Sequence, residues 1–180
     1  FHLNERNYLY LADRGRIYGD VRLYDEQGTG IHFYTNREDT IADQEMTVEL
    51  SRIDLKQFKK VLPYLPDVEG WLGGSLHYVD SEGQMMLSAD MNLDDFEYEK
   101  SPLGNWAISG VYLPGENNEH HVDGFIQHND KEIIYLNGIY QAESMGNENI
   151  TGDLELHHFP LAVINPFIPD KMLEFSGDID

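Results

Sequence analysis

The sequence predicts a mainly β protein, folded as a curved antiparallel sheet or open half-barrel, with one or two short helices between runs of strands. Apolar and polar residues alternate with a period of two along most of the chain. Turn residues interrupt this alternation about every eight to twelve positions. One short segment departs from the pattern and shows helical spacing instead. Strands with one apolar face pack that face against other apolar material, so we expect half-buried strands.

Two segments show the alternation most clearly. Residues 17–24 place Ile17, Val21 and Leu23 on one face, and residues 85–94 do the same with Met85, Leu87, Met91 and Leu93. Further strands are predicted at 7–12, 31–35, 46–50, 71–78, 106–113, 121–128, 132–140 and 150–156. Turns are predicted at 25–28, 81–83, 114–118 and 129–130.

A short helix is predicted after the fourth of these strands along the chain, 46–50. Leu55, Phe58 and Val61 fall at helical spacing, Asp54 is placed to cap the first turn, and Pro63 marks the end. Such a helix could cover one end or edge of the sheet.

An internal repeat is visible around this helix. The segment 62–67, followed by Gly74 and Leu76, is echoed by 165–170, followed by Gly177 and Ile179, at a constant offset of 103 residues. We therefore expect residues 1–180 to be a single section of a larger repeat protein, with units of about 1–52, 53–155 and 156–180, the last one truncated. Both ends of the chain are expected to be cut.

The charge and composition exclude several classes of function. Lys and Arg number 12 against 33 Asp and Glu, which gives a net charge of −21 and predicts no nucleic-acid partner. The chain has no Cys, which excludes disulfides and cysteine-ligated zinc. Its apolar runs are too short to cross a bilayer, so any membrane anchor is expected outside this chain.

The glycine and leucine patterns resemble those of the TamB/AsmA-like family, the translocation and assembly module proteins of the bacterial envelope. The resemblance lies in the helix with its Pro-x-x-Pro end, the strands 69–76 and 173–179, and the pair formed by 96–98 and 102–112. It covers most of positions 46–180. It implies a taco-shaped sheet with an apolar concave face, in a periplasmic protein anchored in the inner membrane. It also implies a role in outer-membrane biogenesis, through lipid transport or outer-membrane protein assembly.

An apolar groove also has a physical rationale. Alternating strands must bury one apolar face, and an open sheet can do so around acyl chains, since burial contributes roughly 25 cal/mol per Å². We therefore expect phospholipid acyl chains or the outer-membrane assembly machinery as partners. The candidate groove residues are Ile17, Val21, Leu23, Met85, Leu87, Met91, Leu93, Val122, Ile126, Ile133, Tyr135, Leu154 and Leu156.

No motif predicts catalysis or a cofactor. The segment 90–94 resembles the opening of a calcium loop, but Asp95 and Ser101 stand where Gly and Glu are needed. The adjacent pairs at 120–121 and 157–158 should point to opposite faces of a strand, so neither pair favours a metal. We expect a protein that is not an enzyme and that has no metal or cofactor.

Two alternatives stay open. One is an extracellular β-sandwich that binds glycans through Tyr8, Tyr10, Tyr18 and Tyr24, which would need a closed sandwich. The other is an acidic adhesin stalk made of stacked repeats.

Overall fold

The computed structural model describes residues 2–36, 42–142, 148–168 and 173–180, and it shows one large antiparallel sheet. The sheet is open, as the sequence predicts. It has eleven strands, but two short ones pair with the same edge strand, so it is ten strands wide. Its strands are β1 (His2–Leu3), β2 (Tyr8–Leu11), β3 (Ile17–Tyr24), β4 (Gly30–Thr35), β5 (Gln44–Asp54), β6 (Val68–Ser81), β7 (Gln84–Tyr98), β8 (Ser101–Pro114), β9 (Glu119–His128), β10 (Lys131–Ala142) and β11 (Glu148–Leu156).

The topology is a simple meander from β3 to β11. Each strand pairs with its neighbours in the sequence, and the two short strands β1 and β2 both pair with the outer edge of β3. All ten strands predicted from the alternation are present, and β5 to β8 extend further than expected. A second, two-stranded ribbon consists of β12 (Phe159–Pro160) and β13 (Asp178–Ile179).

Tight hairpins fix the register of the long strands. Two-residue turns at Glu82–Gly83, Glu99–Lys100 and Asn129–Asp130 join β6 to β7, β7 to β8 and β9 to β10, and all six residues have positive φ. Such turns match the right-handed twist of the flanking strands. The predicted turns at 81–83 and 129–130 are therefore confirmed.

The predicted helix is present as α1 (Lys56–Val61), and the chain also forms short 3-10 helices at Asp13–Gly15 and Glu116–Asn118. Asp54 caps α1, since its Oδ1 accepts the Lys56 N–H at 3.0 Å. Phe58 and Val61 are exposed, so α1 does not cover the sheet in the described part of the chain.

A third 3-10 helix, Leu161–Phe167, lies over the sheet, and we call it the cover helix. It is the counterpart of α1 at the 103-residue offset. The same offset moves the bounds of β3 to 120–127, inside β9, and those of β4 to 133–138, inside β10. Two strands and the helix thus match at this offset, while the division of the chain into repeat units stays a prediction.

The sheet has almost no closed core. Among the described residues, only Leu103 and Ile133 are apolar side chains with less than a tenth of their surface exposed, at 6% and 3%. The backbone ladder and the packing of neighbouring side chains therefore hold the sheet together, with little support from a second layer.

Candidate functional site

One face of the sheet is apolar across its whole width. Strand pairing aligns one residue from each of β3 to β11 in a continuous row, and eight of the nine are apolar while the ninth is glycine. The row consists of Leu23, Ile31, Leu50, Gly74, Met91, Ile108, Ile126, Ile134 and Leu156. Because alternate residues along a strand share a face, the neighbouring rows lie on the same side.

Eleven of the thirteen candidate groove residues lie on this apolar face. They are Ile17, Val21, Leu23, Met85, Leu87, Met91, Leu93, Val122, Ile126, Leu154 and Leu156. Many apolar side chains of this face are still open to solvent in the middle of the sheet, as Ile108 and Leu87 are, with 50% and 42% of their surface exposed.

Tyr135 was assigned to the wrong face. Its Cα partner is Phe125, and its hydroxyl donates to Asp123 Oδ2 at 2.8 Å on the polar side of the sheet. The cause is a β-bulge between Glu132 and Ile134, which shifts the alternation by one residue. Ile133 lies in this bulge and is buried, while Ile134 takes the place in the apolar row.

The cover helix closes one margin of the apolar face and forms a pocket with it. The cavity measures about 420 Å³. The sheet contributes Leu72, Met91, Asn92, Leu93, Phe96, Leu103, Trp106 and Ile108 to its lining. The cover helix contributes Val163, Ile164 and Phe167, and β12 contributes Phe159. Eleven of these twelve side chains are apolar or aromatic, and the pocket is therefore suited to an apolar ligand.

The polar side chains at this margin already make hydrogen bonds within the chain. The Trp106 indole N–H donates to Leu103 O at 2.9 Å, and the same carbonyl lies 2.8 Å from His128 Nε2. The Asn92 amide donates to Asp94 Oδ2 at 2.8 Å. A ligand in the pocket would thus meet a surface with little hydrogen-bonding capacity.

The cover helix is fastened to the chain segment that follows it. The Asn165 side chain pairs with the Phe175 backbone at 2.7 and 2.8 Å, and the Leu161 N–H donates to Gly177 O at 3.0 Å. Its last residue, Phe167, packs on Tyr98 of β7 with 4.5 Å between ring centroids. The role of this helix as a wall of the site was not predicted, although its repeat of the α1 pattern is visible in the sequence.

The opposite margin of the apolar face carries an aromatic cluster. Tyr112 and His120 are stacked with 5.8 Å between centroids, and Tyr140 lies 5.6 Å beyond His120. The Tyr112 hydroxyl is 2.6 Å from His120 Nδ1. The apolar face therefore carries hydrogen-bonding groups at the margin that lies away from the cover helix.

The second face is polar and tied together by cross-strand hydrogen bonds. Arg22 donates to Asp20, which also lies 2.9 Å from His32, and the hydrogen bond from Arg22 holds the pKa of Asp20 below its ordinary value. Asn137 and Tyr135 donate to Asp123 and lower its pKa in the same way. These groups bind one another, so the polar face is a solvated structural surface.

The comparisons with known proteins add no relative. No family model matches the chain, and no curated protein and no solved structure matches it either. The site is therefore interpreted from its own geometry.

The described residues contain neither a metal-binding cluster nor a membrane-spanning helix. There, no group of three or more His, Cys, Asp or Glu side chains could hold a metal ion. His120 lies on the apolar face, whereas His121 lies near Glu119 on the polar face, as adjacent residues of a strand should. Within the same described ranges, no helix combines the length and the hydropathy needed to cross a bilayer.

The sandwich needed for the glycan-binding alternative is not found. The second sheet among the described strands is only the two-stranded ribbon, so these strands do not form a sandwich of two large sheets. Tyr8, Tyr10 and Tyr18 do form an aromatic row on the polar face, with centroid separations of 6.3 and 5.5 Å. The segment 90–94, which resembled a calcium loop, lies within strand β7.

Proposed function

We propose that this chain is a non-enzymatic section of a periplasmic scaffold of the bacterial envelope, and that its apolar face carries the acyl chains of lipids during outer-membrane biogenesis. One observation supports the proposal above all. The apolar face runs in register across nine strands and is open to solvent over most of its width.

Exposed apolar surface of this extent needs an occupant. Large apolar patches on a soluble protein mark binding sites, because water contact with them is unfavourable by roughly 25 cal/mol per Å². Lipid acyl chains fit this face better than a peptide would, since they bring no polar groups that need partners. The surface is also wide and uniform, which suits a ligand that slides.

The test is lipid retention measured by native mass spectrometry after incubation with phospholipid vesicles. Leu87→Asp places a charge on the apolar face, and Ser88→Asp places the same charge one residue away on the polar face. The wild-type protein and Ser88→Asp should retain lipid, and Leu87→Asp should lose most of it. Lipid-free wild-type protein, or equal loss in both variants, would contradict the proposal.

A role in outer-membrane protein assembly is the second candidate. It is favoured by β11, which pairs only with β10 in the described part of the chain and presents its other edge to solvent. An extended client segment could add to that edge as a further strand. The check is whether a synthetic strand peptide from an outer-membrane protein protects the amides of β11 from hydrogen exchange.

A further inference from the structure

The pocket under the cover helix differs from the rest of the apolar face because it has two walls. Sheet residues such as Leu93 and Leu103 form one wall, and Val163 and Ile164 form the other. A molecule lying there is surrounded, whereas a molecule elsewhere on the face touches protein on one side only. The pocket is therefore the place on this face where an apolar group is held most firmly.

A polypeptide segment cannot fill this pocket favourably. Its backbone N–H and C=O groups would find few partners, because eleven of the twelve lining side chains are apolar or aromatic and the Trp106 N–H already donates to Leu103 O. Each unsatisfied backbone group in an apolar site is strongly unfavourable. A hydrocarbon chain has no such groups, so the chemistry of the lining selects an alkyl tail.

A strip of the apolar face with little side-chain bulk leads out of the pocket along β8, and we call this strip the track. On the apolar face this strand presents Trp106, Ile108, Gly110 and Tyr112 in turn. A Cβ placed on Gly110 would meet only backbone atoms on the neighbouring strand, the nearest being Asp123 O at 3.4 Å. The space above Gly110 is therefore open, and a chain leaving the pocket can lie in it.

The length of this track matches a common acyl chain. Trp106 and Tyr112 are six residues apart, which corresponds to about 20 Å along an antiparallel strand. A saturated chain with bonds of about 1.5 Å and angles of about 111° advances about 1.25 Å per carbon, so about 16 carbons span the distance. Tyr112 and His120 then supply hydrogen-bonding groups where the polar end emerges.

We propose that the pocket under the cover helix holds the methyl end of one acyl chain, and that this chain lies along β8 with its polar end beside Tyr112 and His120. This inference rests on the proposed function, which requires only that lipid binds the apolar face. It adds the position, the orientation and the approximate length of the bound chain.

The orientation can be read from Trp106 fluorescence. The chain contains two tryptophans, and Trp71 lies on the polar face over Arg52, so Trp71→Phe leaves Trp106 as the single indole. The probes are two stearic acids, one with a nitroxide near the methyl end and one with a nitroxide near the carboxyl group. The label near the methyl end should quench Trp106 more strongly at equal occupancy.

A pair of substitutions tests the track itself. Gly110→Leu fills the space above β8, and Ala107→Leu adds the same side chain to the polar face of the same strand. Displacing about two buried methylenes should weaken stearate binding about tenfold in Gly110→Leu, and Ala107→Leu should bind as the parent does. Calorimetric titration gives the affinities, and thermal melting of both variants checks that they are folded.

The outcomes separate this inference from the proposed function. If stearate binds but both labels quench Trp106 equally, or the label near the carboxyl group quenches it more, the orientation is wrong and the proposed function still stands. If Gly110→Leu is folded and binds as tightly as Ala107→Leu, the chain does not follow β8. If neither stearic acid binds the parent protein, both proposals fail.

Discussion

Truncation of Leu103 should destabilise the sheet much more than truncation of Leu113 on the same strand. Leu103 is 6% exposed under the cover helix, whereas Leu113 is 43% exposed on the polar face. Leu→Ala removes three methylene equivalents at about 0.8 kcal/mol each, or about 2.4 kcal/mol for full burial. Scaled by burial, this gives about 2.3 kcal/mol at Leu103 and about 1.4 kcal/mol at Leu113.

The site of Leu103 adds a second contribution. The cavity beside it already measures about 420 Å³, and Leu103→Ala enlarges it. A cavity term raises the expected loss to about 3 kcal/mol, within the range observed for buried leucines. Urea unfolding of Leu103→Ala and Leu113→Ala, compared at unchanged m-values, measures both losses. Equal losses would refute the two-walled packing described for this margin.

Three further predictions concern the register, the backbone and the charges. Leu136→Asp should abolish lipid retention and Tyr135→Asp should leave it unchanged, because the bulge in β10 puts only Leu136 on the apolar face. Native mass spectrometry after incubation with vesicles measures the retained lipid. Gly74→Ala should lower the free energy of unfolding in urea by about 1–3 kcal/mol, because Gly74 has φ +125° and an added Cβ would lie 2.1 Å from Asp90 O. Gly110→Ala, where the added Cβ has room, should be nearly neutral. The pKa of Asp20 is lowered by its hydrogen bond from Arg22, so ionised Asp20 stabilises the fold above about pH 3.8 and this contribution is lost as the pH falls further. Asp20→Asn should therefore lower stability at neutral pH and flatten the decline in urea midpoint below about pH 3.8.

The strands could be predicted from sequence because their physics is local. A period of two, a turn signal and a strand length are all properties of about ten consecutive residues, and all ten predicted strands are present. The helix at Lys56–Val61 was equally visible, because its cap and its end are set by Asp54 and Pro63. Alternation also sorted most side chains between the two faces.

The wrong face assigned to Tyr135 is explained by a bulge. A bulge adds one residue and reverses the alternation beyond it, as happened at Tyr135, and its position depends on how two strands pair across the sheet. The bulges between Leu50 and Ile53 and between Glu69 and Trp71 were invisible for the same reason.

The pocket was missed because it combines strands with a helix more than fifty residues further along the chain, which is tertiary information.

The net charge bears on which occupant could cover an apolar surface of this size. Two copies that joined their apolar faces would bring together two chains of net charge −21, and that repulsion opposes association at moderate ionic strength. An acyl chain adds no charge along its length, so it would cover the same surface without that repulsion. The acidic polar face therefore favours lipid over a second copy as the occupant of the apolar face, even though the two would bury similar groups.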